Sequence, residues 1–298
     1  MFKVAKISPR SALLLTLVSV VALLAVSCAQ PQASSNGLQG SLQIKGSDTM
    51  VNLGQAWAEE FMHEHGNVSI AVTGGGSGTG IAAMINGTTD IAETSRQMTE
   101  EEIAAAKKNN IDVKEHKVAL DGLAVVVNPA NPVTQLTMEQ LRSIFIGETT
   151  NWKQVGGNDA KIVVLSRESN SGTHVYFKEH VLRRGKPDGN EEYAPDALLM
   201  PSSQAIADEV ASNQNAIGYY GLGYVTPKQK ALAVAPKEGA KAVAPSIDTV
   251  TSGEYPISRP LFMYTRSEPT GAVKAFLDFV LAPEGQQIVR DLDFVPLK

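Results

Sequence analysis

Short β-rich runs alternate with helical patterns along the chain from Leu42 to the C-terminus. Strands are predicted over residues 42–45, 68–73, 90–94, 113–119, 123–128, 161–166, 216–220 and 257–265. Helices are predicted over residues 51–65, 81–86, 99–109, 137–146, 173–184, 204–212, 272–281 and 284–292. Because a helix between two strands lets them pair in parallel, this order predicts an α/β fold with helices on the faces of the sheet. A chain of 298 residues is long enough for about two such domains.

The composition is that of an ordinary globular protein. Hydrophobic residues make up 43% of the chain and charged residues 19%, which excludes a membrane-spanning bulk and a disordered chain. The formal net charge of −5 disfavours a nucleic-acid partner. The single cysteine excludes an internal disulfide and any zinc site built from several cysteines. Since His63 and His65 face different sides of a predicted helix, we expect no metal site, and we expect no cofactor.

Residues 1–27 have the pattern of an export signal. Three basic residues precede an apolar stretch over residues 12–26, and no acidic residue stands before Cys28. That stretch is shorter than the roughly 20 residues of a membrane-spanning helix, and residues 28–40 follow it as a predicted flexible tether. Cys28 resembles the lipidated cysteine of bacterial lipoproteins, although Leu24 lies one position too early for the usual motif; the alternative is secretion with an incidental cysteine. Removal of residues 1–27 would take away three basic residues and change the net charge from −5 to −8.

Three junctions between a predicted strand and the next helix are rich in glycine and small hydroxyl residues. They are residues 46–50, 74–80 and 166–173. Ligands bind at such junctions in α/β folds, because free backbone N–H groups and the positive end of the helix meet there. Helix capping explains each junction singly, but the glycine run 74–80 favours a ligand close to the backbone. Arg167 stands at the third junction, where its planar donor fork suits two oxygens of one tetrahedral anion.

Other motifs fit these residues less well. Gly80 is followed by two apolar residues instead of the Lys and the Ser or Thr of a phosphate-binding loop. Gly78, Gly80 and Ala83 match the dinucleotide fingerprint, but no acidic residue follows at about 20 positions. The serine elbow of α/β-hydrolases needs glycine two places after Ser77, where this chain has Thr79. We therefore predict no catalytic residue and no enzyme activity.

The three junctions, in this order, resemble the substrate-binding protein of the high-affinity phosphate ABC transporter. The most specific match is Arg167, followed after three residues by the run Ser171, Gly172 and Thr173. The stretch 144–152 is similar as well, and the resemblance covers the chain from about residue 42 to the C-terminus.

The resemblance implies a type II periplasmic-binding-protein fold. Such a fold has two α/β lobes joined by two crossing hinge strands, which would lie near residues 119–126 and 257–264. Lobe one would comprise residues 41–120 and 257–298, and lobe two residues 121–256.

The resemblance also implies a set of phosphate ligands on both lobes. Lobe one would supply Thr49, the backbone of Met50, and Ser77. Lobe two would supply the third junction's ligands, Arg167, Ser171, Gly172 and Thr173.

One family position does not carry over. Many members have an aspartate that accepts the proton of hydrogen phosphate, where this chain has Ser95 followed by Arg96. Such an acceptor selects phosphate, because sulfate has no proton to donate and would meet an unpaired like charge. We expect Asp48 to replace the acceptor and Arg96 to add a cation at the phosphate site. The alternatives are that Asp48 only caps the following helix and that Arg96 pairs with Glu100 or Glu101.

The implied function is capture of inorganic phosphate by an exported, lipid-anchored monomer that faces the periplasm or cell exterior. Closure of the lobes would let the protein dock on the transmembrane permease of an ABC transporter, which imports the ion. The implied partners are phosphate, the permease subunits and the membrane through the lipid. Three alternatives stay open: a receptor for sulfate or molybdate, an exported phosphoester hydrolase, and an adhesin or signalling lipoprotein with an idle site.

Overall fold

A computed structural model describes residues 37–186 and 188–297; the predicted export signal and Cys28 lie outside them. The strands are β1 (Gly40–Gly46), β2 (Val68–Thr73), β3 (Ile91–Thr94), β4 (Lys114–Val127), β5 (Gln135–Thr137), β6 (Val163–Arg167), β7 (Leu198–Met200), β8 (Ala216–Gly221), β9 (Lys230–Ala231), β10 (Ala233–Ala235) and β11 (Ser258–Thr265). The helices are α1 (Val51–Glu64), α2 (Ser77–Ile85), α3 (Glu100–Lys108), α4 (Met138–Phe145), α5 (Gly172–Phe177), α6 (Ser203–Ser212), α7 (Ile247–Thr251), α8 (Gly271–Leu281) and α9 (Pro283–Asp291). None of the helices in these two ranges has the length and apolar character needed to cross a membrane.

The main sheet has nine strands in the order β2-β1-β3-β11-β4-β8-β6-β7, with β9 beside β4. Strand β1 pairs in parallel with β2 and β3, and β6 pairs in parallel with β7 and β8. The central pairings, of β11 with β3 and β4 and of β4 with β8, are antiparallel. The helices thus connect parallel strands on each side, as predicted, and two long strands join the sides at the centre.

Strand β4 is continuous where the sequence predicts two strands, 113–119 and 123–128. Asp121 and Gly122 lie in the gap between the two predicted strands. Asp121 is fully buried and lies opposite Arg259 of β11 in the register of the two strands. Because the charge is paired inside the sheet, the strand runs on, and its two halves pair with β11 and β8.

Each side of these long strands has its own hydrophobic core. One core contains Trp57 and Phe61 of α1 together with Phe276 of α8, whose ring meets Phe61 edge-on at 5.4 Å. The other contains Phe177 of α5 and Tyr219 of β8, whose rings stack at 3.9 Å. The structure therefore has two lobes, and β4 and β11 pass between them.

Helix α2 begins at Ser77, four residues before the predicted start at residue 81. The turn before it is made by Gly75 and Gly76, with φ of 109° and 93°. Gly80 lies inside this helix, and only glycine fits there, because a Cβ would stand 2.4 Å from the carbonyl oxygen of Lys45. The glycines of this junction therefore serve a left-handed turn and close packing on β1.

Candidate functional site

The three junctions singled out in the sequence meet between the two lobes. Each follows the carboxyl end of a strand: β1, β2 or β6. The hydroxyl oxygens of Thr49 and Thr173 lie 2.8 Å apart across the lobes. The amide of Gly78 donates to the carbonyl oxygen of Asn170 at 2.9 Å, and the side-chain amide of Asn170 donates to the carbonyl oxygen of Gly75 at 2.9 Å. The fold thus brings together residues more than 90 positions apart in the chain.

Four buried hydroxyl groups surround the start of α5. Thr49, Ser77, Ser95 and Thr173 are each at most 1% exposed. Ser77 Oγ accepts a hydrogen bond from the amide of Ser95 at 3.0 Å and lies 3.2 Å from Ser95 Oγ. A Cβ at Gly172 would stand 2.3 Å from Ser77 Oγ and 2.7 Å from Ser95 Oγ. These hydroxyl groups come from both lobes and can donate hydrogen bonds to a small anion.

Arg167 lies at the end of β6 and is 1% exposed. Its Nη1 lies 3.1 Å from Asp48 Oδ2 and donates to Ser203 Oγ at 3.0 Å. Nη2 donates to the carbonyl oxygen of Pro201 at 3.1 Å, and Nε to that of Met200 at 3.3 Å. The fork predicted to face an anion is therefore held rigidly, and part of it binds the carboxylate of the other lobe.

Asp48 connects the two lobes. Its Oδ2 accepts a hydrogen bond from the amide of Ser203, the first residue of α6, at 2.7 Å. Tyr224 donates to the backbone carbonyl of Asp48 at 2.8 Å. The alternative that Asp48 caps the following helix is not what the structure shows, because neither Asp48–Met50 nor α1 has a side-chain cap. Asp48 lies instead at the positive end of a helix in lobe two.

Arg96 forms its ion pair inside lobe one. Its Nη1 and Nη2 donate to the two carboxylate oxygens of Glu102 at 2.8 and 2.7 Å. Arg96 does not pair with Glu100 or Glu101, the partners expected from the sequence. It pairs with Glu102 because the hydrogen bond from the amide of Thr99, at 2.9 Å, holds that carboxylate beside it. Burial raises the pKa of Glu102, but hydrogen bonds from Arg96 and Thr99 outweigh that effect and lower it. The charge of Arg96 is balanced by this carboxylate.

Two further predicted ligands have local partners. The amide of Met50 donates to the carbonyl oxygen of Ser47 at 3.0 Å. Ser171 is the N-cap of α5, and its Oγ accepts from the amides of Thr173 and His174 at 3.2 and 3.4 Å. The hydroxyl hydrogen of Ser171 remains available to donate to a ligand.

His174 forms a hydrogen bond to the backbone of the third junction. Burial lowers its pKa to about 4, so the ring is neutral near pH 7. Its Nδ1 donates to the carbonyl oxygen of Arg167 at 2.7 Å. This contact fixes the backbone from which the Arg167 side chain extends.

Sequence reasoning missed Arg259, the partner of Asp121. Nη2 of Arg259 donates to Thr173 Oγ1 at 2.9 Å and to Thr49 Oγ1 at 3.3 Å. The signal in the sequence was a charged residue within an apolar predicted strand, 257–265. Such a residue is rarely buried without a specific partner.

Glu93 of β3 is a buried carboxyl group of lobe one, and its burial predicts a pH dependence of stability. It is 0% exposed, neither carboxylate oxygen has a partner in the described part of the chain, and burial raises its pKa well above the ordinary value. Below about pH 4.3 both folded and unfolded chains are protonated there. As the pH rises, the unfolded chain loses this proton first, so the contribution to stability is lost progressively up to the folded pKa.

We expect Glu93→Gln to make the midpoint of thermal unfolding less dependent on pH between pH 5 and pH 8. The measurement is the change in that midpoint across the range, compared with the original chain. The exposed Glu101→Gln is the control and is expected to keep the original slope. An unchanged slope in Glu93→Gln would show that Glu93 does not titrate in this way.

The chain is similar to known proteins over most of its length. A family model described as a PBP superfamily domain matches residues 31–284. The phosphate-binding protein PstS of Pseudomonas aeruginosa is 34% identical over 280 residues, covering 88% of this chain and 85% of that protein. PstS of Bacillus subtilis is 35% identical over 263 residues, covering 87% of this chain and 81% of that protein.

A solved structure from Clostridium perfringens is also similar. It is described as a phosphate ABC transporter substrate-binding protein with bound phosphate, at 36% identity and a TM-score of 0.78, covering 87% of this chain and 100% of that chain. The resemblance and the two-lobed α/β fold expected from the sequence are confirmed. The chain belongs to the PBP superfamily and, within it, to the family of the PstS phosphate-binding proteins.

Proposed function

We propose that this chain captures inorganic phosphate outside the cytoplasm and delivers it to the permease of an ABC transporter for import. The observation that carries the proposal is the convergence of junctions 46–50, 74–80 and 166–173 from two lobes on one group of buried hydroxyls. Its family relatives are phosphate-binding proteins, and one similar protein has been solved with bound phosphate. A substrate-binding protein releases its ligand unchanged, so the chain is not an enzyme.

The proposed ligands are hydroxyl and N–H donors on both sides of the site. They are Thr49, Ser77 and Ser95 of lobe one, and Arg167, Ser171, Gly172 and Thr173 of lobe two. Donors held in a buried site bind a dehydrated anion well because they need no reorganisation and face little competing water. Met50 joins this set less directly, since its amide has a partner within lobe one. Nη1 and Nη2 of Arg96 are paired with Glu102, but its Nε is buried and has no hydrogen-bond partner among the described residues.

Asp48 is the proposed acceptor for the proton of hydrogen phosphate. Among the described residues, Asp48 contacts Arg167 and the amide of Ser203 with its Oδ2 atom. Oδ1 can then accept the proton, whereas sulfate offers none and meets the negative charge. This arrangement would replace the aspartate that the family has at the position of Ser95.

The lobes and the membrane anchor complete the proposal. We assign residues 41–120 and 257–298 to lobe one and 121–256 to lobe two, because separate hydrophobic cores lie on the two sides of β4 and β11. Export by residues 1–27 and lipid attachment at Cys28 are supported by the sequence pattern. The proposed working form is a monomer tethered to the membrane.

The test is a calorimetric titration of the purified chain, freed of bound ligand by unfolding and refolding. Phosphate and then sulfate are added at pH 6 and at pH 8. We expect one phosphate per chain and no heat from sulfate at either pH. Equal binding of phosphate and sulfate would make the protein a general oxyanion receptor, and no binding of either would overturn the proposal. Turnover of a chromogenic phosphoester would favour the hydrolase.

A further inference from the structure

A fully buried ion pair lies where the two long strands cross between the lobes. Arg259 of β11 is 2% exposed and Asp121 of β4 is 0% exposed. Nε and Nη2 of Arg259 donate to Asp121 Oδ2 at 3.2 and 2.9 Å, and Cζ lies 5.5 Å from the ring centroid of Tyr176. Since burial of two charges is costly even when they pair, such a pair is weak evidence for a purely stabilising role.

The end of the Arg259 guanidinium is directed at the proposed phosphate site. Nη2 also donates to Thr173 Oγ1 at 2.9 Å and to Thr49 Oγ1 at 3.3 Å. Because the N–H bonds of a guanidinium lie in one plane as a fixed fork, an N–H of Nη1 points in the same direction as the N–H of Nη2 that faces the threonines. Nη1 is buried and has no hydrogen-bond partner among the described residues.

Arg259 also fixes the direction in which the threonine hydroxyls donate. A guanidinium has no acceptor, so neither hydroxyl can donate to Arg259. One hydroxyl donates to the other across the 2.8 Å contact between Thr49 and Thr173. The hydrogen of the remaining hydroxyl points away from Arg259 and is available to an anion in the site.

We propose that Arg259 is a second cationic ligand of the bound anion, beside Arg167, and that Asp121 holds it in position. The inference rests on the proposed function, because the ligand is taken to be phosphate. Nη1 would donate to a phosphate oxygen, and Nη2 orients the hydroxyl donors of Thr49 and Thr173. Asp121 balances the charge, so Arg259 contributes donors in a fixed geometry without a change of net charge.

The principal test is the double variant Arg259→Gln with Asp121→Asn, titrated with phosphate by calorimetry. It removes both charges together, leaves the net charge of the site unchanged and avoids a lone buried carboxylate. We expect the phosphate dissociation constant to rise at least about tenfold, the effect of losing one charge-assisted hydrogen bond. Unchanged affinity in the folded double variant would overturn the inference.

A second variant, Arg259→Lys, keeps the positive charge and a donor for Asp121. It lacks the parallel N–H groups of Nη1 and Nη2 that point toward the phosphate site. Weaker phosphate binding in this variant, with an unchanged midpoint of thermal unfolding, supports a ligand role for Arg259. Binding with the original affinity would show that Arg259 has a structural role only. This variant decides the question if the double variant does not fold. The control is Arg266→Gln, since Arg266 follows β11 and pairs with Asp90 at 2.8 Å on the surface. It is expected to keep the original affinity.

The two hypotheses fail in different ways. If the original chain does not bind phosphate, the proposed function is wrong. If the original chain binds phosphate and a folded Arg259 variant keeps the original affinity, only the inference about Arg259 is wrong.

Discussion

Phosphate affinity is expected to fall by about 30-fold to several thousand-fold in Arg167→Ala, because truncating one partner of a buried charge contact costs about 2 to 5 kcal/mol. The guanidinium is 1% exposed and is held by Ser203, Pro201 and Met200. It therefore loses little entropy when it binds an anion. Its loss would also leave Asp48 without the cation that lies 3.1 Å from its carboxylate. Titration calorimetry with phosphate measures the effect.

The control for Arg167→Ala is Arg184→Ala. Arg184 pairs with Glu139 at 2.7 Å, and both side chains are more than half exposed. It removes an arginine of the same lobe, and we expect the original phosphate affinity. Thermal unfolding of Arg167→Ala shows whether the loss of affinity reflects a loss of fold. Original affinity in a folded Arg167→Ala would exclude Arg167 as a ligand.

Local sequence pattern was sufficient for most of the elements. Strand β2 spans the predicted 68–73, and α1 ends one residue before the predicted limit. These segments alternate or repeat their apolar residues with the period of a strand or a helix, and that period depends on nearby residues only. Short strands such as β5 and β10 were missed because three residues carry too little pattern.

Long-range pairing was beyond the reach of local pattern. Asp121 falls between two predicted strands, and the structure places it inside one continuous strand opposite Arg259, 138 positions later. The candidate site divides in the same way. Its junctions have an unusual composition and could be found, whereas Arg259 depends on the register between β4 and β11. The partner of Arg96 is a local exception: Glu102 lies only six positions away, and the capping interaction at Thr99 selects it instead of Glu100 or Glu101.

Gly172→Ala is expected to weaken phosphate binding by about 100-fold without loss of stability. The new Cβ would stand 2.3 Å from Ser77 Oγ and 2.9 Å from Ser77 Cβ. Rotation of the Ser77 hydroxyl cannot relieve the contact with Ser77 Cβ. The first turn of α5 and the first turn of α2 must therefore move apart. Overpacking of this kind costs about 1 to 3 kcal/mol, and we expect the upper end because the contact lies between two lobes that both hold the ligand.

The stability of Gly172→Ala separates this effect from a folding defect. Each lobe keeps its own core, because the new contact lies between the lobes. The midpoint of thermal unfolding should therefore stay the same while calorimetry shows weaker phosphate binding. Gly66→Ala is the matched control, since a Cβ there meets nothing within 4 Å. If Gly172→Ala binds phosphate like the original chain, the lobes do not close on the ligand at this point, because the added methyl group occupies the space that closure requires.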